Sequence, residues 1–94
     1  DYRIVKPRFS GFFGTPLDLI LRRLGVDTVI LAGTTTPNCI RTSCYDALSL
    51  DYDVVVLSDC TSSVTEAVQR ANLGDMERIG AQIETVGELR ALFG

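Results

Sequence analysis

No histidine occurs among the 94 residues. That absence argues against a zinc site built by this chain alone and removes the Cys-His pair of papain-like chemistry. Any group that activates a cysteine here is a lysine, a carboxylate or the backbone. Cysteine itself is scarce, with three residues at 39, 44 and 60. An odd number, with no Cys-x-x-Cys and no paired spacing, speaks against a disulfide framework or a thioredoxin-like redox pair, so a reducing cytoplasm is expected. No apolar run reaches ~18 residues, and no charged start leads into an apolar core with a small-residue cleavage site, so neither a membrane span nor a targeting segment is expected. Positive charge is thin, with nine Lys and Arg against twelve Asp and Glu, a net charge of −3 and a pI near 4.7. The basic residues are scattered, which leaves no stripe to meet nucleic-acid phosphates or an anionic membrane.

What is present is globular. Hydrophobic residues make up 46% and charged residues 22% of the chain, a composition that suits one folded domain over residues 1–94. The start lacks Met and carries strand-like Tyr2, Ile4 and Val5, so it reads as the interior of a longer protein. Lys6-Pro7 ends that run, which puts Lys6 at a strand's carboxyl end.

Thr15-Pro16 reads as an N-cap followed by Pro at the first helical position, with Leu17, Ile20, Leu21 and Leu24 on one face and Gly25 closing the helix. Val26 to Ala32 is nearly continuous in apolar β-formers, the pattern of a strand buried on both faces. A second such strand is Asp53 to Leu57. Between them, Ile40, Cys44, Ala47 and Leu48 form the inner face of a helix from Cys39 to Leu50. Ser63 with Glu66 fits a capping box for a helix whose inner face holds Val64, Ala67, Val68 and Ala71. A short strand at Gln82 to Glu84 and a helix from Val86 to Phe93 complete a β-α alternation. Such an order implies right-handed crossovers over a parallel sheet, whose ligand crevice lies at the carboxyl ends of the strands. Lys6, Gly33 to Cys39, and Asp59-Cys60-Thr61 each follow a strand and are expected to converge there.

Cys39 opens its helix, where unpaired N–H groups and the positive dipole end favour thiolate, so it is the candidate nucleophile. The alternative is a small buried hydrophobe, the role read for Cys44, while for Cys60, near the same crevice, a structural role is favoured. Lys6 is the candidate partner, against the alternative of a solvated lysine. An ammonium ~4 Å from a thiolate at an effective dielectric of ~20 interacts by ~4 kcal/mol, an upper bound. Arg41 projects about 200° away from Cys39 around a helix axis and is expected to meet solvent or a neighbouring subunit. A tyrosine-phosphatase loop fails because position 45 is Tyr where Arg is needed, and no Gly-Lys-Ser/Thr makes a P-loop.

Four segments carry a family resemblance: Lys6-Pro7-Arg8-Phe9-Ser10-Gly11-Phe12-Phe13-Gly14-Thr15-Pro16-Leu17, Gly33-Thr34-Thr35-Thr36-Pro37-Asn38-Cys39, Tyr45-Asp46-Ala47 and Val56-Leu57-Ser58-Asp59. Together they resemble the isochorismatase-like cysteine hydrolases, a superfamily that includes nicotinamidases and ureidoacrylate amidohydrolase. The resemblance implies a three-layer α/β/α, Rossmann-like fold with a mostly parallel sheet, here without its N-terminal strands. It implies a Cys-Lys-Asp triad in which Cys39 is the nucleophile and Lys6 the lysine. By the same likeness the Thr34-Thr35 peptide is cis, and the N–H groups of Thr35 and Cys39 form an oxyanion hole. Phe9, Phe12 and Phe13 are candidates to line the substrate pocket.

The triad aspartate and the metal-binding residues of nicotinamidases belong to an N-terminal half that has no counterpart here. Asp18, Asp46 and Asp59 do not fill that vacancy. By the same resemblance, a cysteine at position 39 implies amide or carbamoyl substrates rather than the vinyl ether of isochorismate. The expected activity is hydrolysis of a C–N bond in a small amide, without a cofactor held by this chain, which alone is expected to be inactive. The expected partners are the N-terminal half and further copies in a homo-oligomer. The alternative is a non-catalytic thiol protein, redox-sensing or structural, that keeps the fold.

Overall fold

The computed structural model describes residues 4–6 and 8–93. The elements run α1 (Leu17–Arg23), β1 (Thr28–Thr34), a π-helical turn (Thr36–Ile40), α2 (Arg41–Ser49), β2 (Asp53–Ser62), α3 (Glu66–Arg78), β3 (Gln82–Glu84) and α4 (Val86–Phe93). The strands form one parallel sheet in the order β1-β2-β3. The expected first strand is not formed by Ile4 or Val5, and Val5 is 93% exposed. Tyr2 lies outside the described residues.

Three helices enter the next strand through the same device. Gly25, Asp51 and Gly80 all have positive φ, and each sits just past a helix end. Their N–H groups donate to Arg22, Leu48 and Glu77, while the following residues Val26, Tyr52 and Ala81 donate to Leu21, Ala47 and Met76. These are Schellman caps, which satisfy the last helical carbonyls and turn the chain back toward the sheet. Glycine takes this conformation without steric cost, whereas Asp51 bears some.

Side chains alternate across a strand, so Val29, Leu31, Val54, Val56 and Ile83 share one sheet face. That face carries the core. Phe12, Ile40, Cys44, Ala47, Tyr52, Met76 and Ala81 pack there, with Leu17, Leu21, Leu48 and Leu73 against them. Helices α1, α2 and α3 therefore make one layer. Leu89 of α4 shares a cavity of about 280 Å³ with Thr28, Val55 and Gln82, which places α4 on the opposite face.

Strand β1 departs from its expected burial on both faces. Thr28, Ile30 and Ala32 are exposed, with Ile30 at 44%, because among the described residues α4 covers β2 and leaves that face of β1 open. Central strand β2 is buried on both faces from Val54 to Leu57, as its unbroken apolar run predicts.

Helix α3 is displaced in register from expectation. Its N-cap is Thr65, whose side chain accepts from the Val68 N–H at 3.2 Å. Ser63 does not cap it, and the Ser63 hydroxyl is buried without a partner among the described residues. The buried positions are Asn72 and Met76, while Val64, Ala67, Val68 and Ala71 are exposed. The physical reason is Met76, fully buried beneath the sheet: seating that long side chain with Leu73 turns the alanine stripe outward.

Candidate active site

The sheet's carboxyl edge is built from an irregular end of the β1-β2 pair. Leu31 pairs with Val56, but Gly33 pairs with Thr61 and Thr34 with Ser62, so Leu57 to Cys60 bulge out of the ladder. Gly33, at φ +117°, supplies the backbone freedom that this shift needs. The Thr34-Thr35 peptide is cis.

The chain then winds into the π turn. Thr35 presents its carbonyl to the N–H groups of Asn38 and Ile40, both at 3.2 Å, and the second bond is the i→i+5 link that defines a π turn. Cys39 therefore stands inside a loosely wound turn that precedes α2, not at the first position of an α-helix as its sequence suggests. The turn is fixed at its start by Thr36, which is fully buried and donates from Oγ1 to the Ser62 carbonyl at 3.1 Å.

Cys39 is half-buried. The Lys6 ammonium donates to its sulfur at 3.3 Å and to the Arg8 carbonyl at the same distance. Two residues 33 positions apart thus meet beyond the carboxyl end of β1. The Arg8 carbonyl belongs to a loop braced by small hydroxyls. Buried Ser10 accepts from Phe12 N–H at 3.0 Å, Ser43 on α2 accepts from Gly11 N–H at 2.9 Å, and Thr15 donates to the Gly11 carbonyl at 2.6 Å. Short polar side chains that bond back to nearby backbone give a loop a definite shape. Reading the sequence missed Ser10, Ser43 and Thr36; the Ser and Thr punctuation of the loop was the available signal.

Phe9, Phe12 and Phe13 separate. Phe9 and Phe13 are exposed and line a cavity of about 350 Å³ with Arg8, Ser10, Thr42 and Asp46. Neither Cys39 nor Lys6 lines this cavity. Phe12 is buried in the core, its ring centroid 5.8 Å from that of Tyr52.

The three segments expected to converge do so only in part. Asp59 turns to α4, accepting from Val86 N–H at 3.1 and 3.3 Å, and Cys60 is exposed. Asp18 is engaged by the Tyr52 hydroxyl at 2.6 Å. Burial first, and then that hydrogen bond, push the Tyr52 phenol up from its usual range. Cys44 is fully buried on the core face of α2, and burial pushes its thiol up to about 11. Arg41, expected at solvent or a neighbouring subunit, is half-buried and reaches α3, bonding Asn72 at 2.8 Å and Asp75 at 3.1 Å. Among the described residues no three His, Cys, Asp or Glu side chains gather to hold a metal ion. No helix among them is long and apolar enough to cross a membrane.

Residues 1–88 match the isochorismatase domain family. An Arabidopsis thaliana protein named as a probable inactive nicotinamidase is 46% identical over 89 residues, 94% of this chain and 45% of that protein. The ureidoacrylate amidohydrolase of an Enterobacter species is 38% identical over 94% of this chain and 39% of its own length. In three dimensions, an isochorismatase family protein from Desulfovibrio vulgaris aligns with a TM-score of 0.92 at 46% identity, covering 96% of this chain and 47% of that one. An isochorismatase-like hydrolase from Alkaliphilus metalliredigens aligns with a TM-score of 0.95 at 38% identity, over 100% of this chain and 52% of its own. The chain spans about two-fifths to one-half of the length of these relatives.

Proposed function

The chain belongs to the isochorismatase family, and from that premise we propose that it is the part of a cysteine amidohydrolase that carries the nucleophile Cys39 and its lysine, Lys6. The observation that carries this reading is the 3.3 Å contact between the Lys6 ammonium and the Cys39 sulfur. The thiolate attacks the carbonyl carbon of a small amide or carbamoyl compound, forming a C–S bond and moving the carbonyl electron pair onto oxygen. The N–H groups of Thr35 and Cys39, carried by the cis peptide and the π turn, receive that oxyanion. When the tetrahedral intermediate collapses, the C–N bond breaks and the nitrogen leaves protonated. Water then cleaves the thioester, releasing the acid and the thiol.

The proton donor and the activator of water is the triad aspartate. In this reading it is supplied by the counterpart of the half of the relatives that this chain does not match. The same counterpart, or a second copy in a homo-oligomer, covers the open face of β1 at Thr28, Ile30 and Ala32. Phe9 and Phe13 hold the apolar part of the substrate in the cavity beside α2, and Phe12 supports them from the core. A reducing cytoplasm suits three free thiols.

Intact-mass analysis under denaturing conditions identifies any companion polypeptide, and the assembly is then screened against small amides. Turnover that Cys39→Ser and Lys6→Met both abolish, with circular dichroism unchanged, supports the reading. Turnover that survives Cys39→Ser refutes it. A second reading, a non-catalytic thiol protein, is favoured by the relative named as inactive at 46% identity. It predicts no turnover of any amide by the complete assembly, with Cys39 still open to alkylation.

A further inference from the structure

The turn that aims Cys39 is short and loosely wound. Its bonds from Ile40 N–H to Thr35 and from Arg41 N–H to Thr36 span five residues, where an α-helix spans four. Rewinding these residues to α register would rotate Cys39 about the helix axis and carry its sulfur away from Lys6. Something outside the turn must hold the π winding. At its start stands the bond from Thr36 to Ser62. At its end stands Arg41, whose Nη1 donates to Asn72 Oδ1 at 2.8 Å and to Asp75 Oδ2 at 3.1 Å.

Both acceptors are themselves fixed. Asn72 is buried at 8% exposure and donates from Nδ2 to the Val68 carbonyl at 2.9 Å. Asp75 also accepts from Arg78 at 2.8 Å. The Arg41 guanidinium lies 5.1 Å from the Tyr45 ring centroid, so the side chain has an aromatic support on one side and a forked pair of acceptors ahead of it. A half-buried guanidinium with two oriented acceptors and a ring is a stiffer tether than a solvated surface pair.

We propose that Arg41, through Asn72 and Asp75, is a positioning residue for Cys39: it locks the π turn onto α3 and thereby holds the thiol against Lys6. This rests on the reading of Cys39 and Lys6 as catalytic partners, and its test is independent of turnover because it follows the thiol directly. Arg41 touches neither the sulfur nor the lysine, so its effect passes through the backbone of Ile40 and Cys39.

The experiment is alkylation of the native protein by iodoacetamide across a pH series, with labelling of each cysteine read by peptide mass. Exposed Cys60 is the internal reference, and buried Cys44 reports whether the core stays closed. In Arg41→Met, Cys39 labelling at neutral pH is expected to slow by about tenfold, with Cys60 unchanged and Cys44 unlabelled. Arg41→Lys keeps the charge but not the planar group against the Tyr45 ring, and restores part of the rate. Lys6→Met alone gives a similar slowing, and adding Arg41→Met to it slows labelling little further, since both act on one contact. An unchanged Cys39 profile in Arg41→Met, or fully multiplicative effects of the two substitutions, overturns the proposal. Should Arg41→Met open Cys44 to the reagent, Asp75→Asn replaces it. That milder change must slow Cys39 by about threefold with Cys44 still protected, and a parental profile there overturns the proposal too. Loss of the amidase reading alone, with turnover absent throughout, leaves these labelling outcomes separately decided.

Discussion

The three cysteines provide the sharpest test of the fold, because the structure gives each a different environment. Cys44 is fully buried between α2 and the sheet, and burial raises its thiol from 9.0 to about 11. At about pH 8, a two-unit rise cuts the thiolate fraction about a hundredfold relative to an ordinary cysteine. Exclusion of the reagent from the core slows Cys44 further. Native alkylation followed by digestion and peptide mass should therefore label Cys60 and Cys39 while Cys44 stays intact, and unfolding in denaturant should equalise Cys44 with Cys60. Labelling of Cys44 within tenfold of Cys60 in the native protein would refute the placement of α2 on the sheet. The same shift gives a pH dependence of stability. A folded-state value above the unfolded one means that folding favours the neutral thiol. The contribution is fully present below about pH 9 and is lost as pH rises through about 11. Its size is at most about 3 kcal/mol, so Cys44→Ala should flatten the alkaline limb of a urea-unfolding series.

Other expectations follow from caps and turns. Thr65→Ala should cost about 1 kcal/mol of stability by removing the α3 cap, whereas Ser63→Ala should be neutral or stabilising because its buried hydroxyl has no partner among the described residues; urea midpoints of the two variants decide this. Asp51→Gly should stabilise by up to about 1 kcal/mol, since Asp51 holds φ +69° in a helix C-cap; a melting midpoint that falls instead contradicts the cap assignment. Asp59→Ala should loosen α4 by about 1 kcal/mol, seen as faster amide exchange confined to α4. Thr36→Val keeps the shape of the buried side chain but deletes its bond to Ser62, and should cost about 1 to 2 kcal/mol in the same unfolding assay.

Sequence pattern was sufficient where one local rule acted alone. The unbroken run Val54-Val55-Val56-Leu57 could only be a strand covered on both sides, and it is. Ile40, Cys44 and Ala47 recur at helical spacing and are all buried. Gly25, read as closing the first helix, does follow the end of α1 and has φ +73°. Lys6 and Cys39 were placed side by side from the sequence, and the two side chains are in contact at 3.3 Å, although Lys6 follows no strand among the described residues.

Where two local rules competed, tertiary packing decided. Ser63 and Thr65 are both acceptable caps by residue type, and the fit of Met76 and Leu73 against the core selected Thr65. Val26 to Ala32 has the composition of a doubly buried strand, but burial belongs to what lies across a face, and one face of β1 has no cover among the described residues. Arg41 projects away from Cys39 by helical arithmetic, yet only the position of α3 shows that Asn72 and Asp75 await it. The π turn is the clearest case. Nothing in Thr36 to Ile40 distinguishes five-residue from four-residue bonding; the winding is set by anchors on β2 and α3, 26 to 34 residues further along the chain. Periodicity and turn chemistry are local properties and could be read from the residues alone, whereas rotation, cover and aim are set by contacts between distant segments and exist only once the chain has folded.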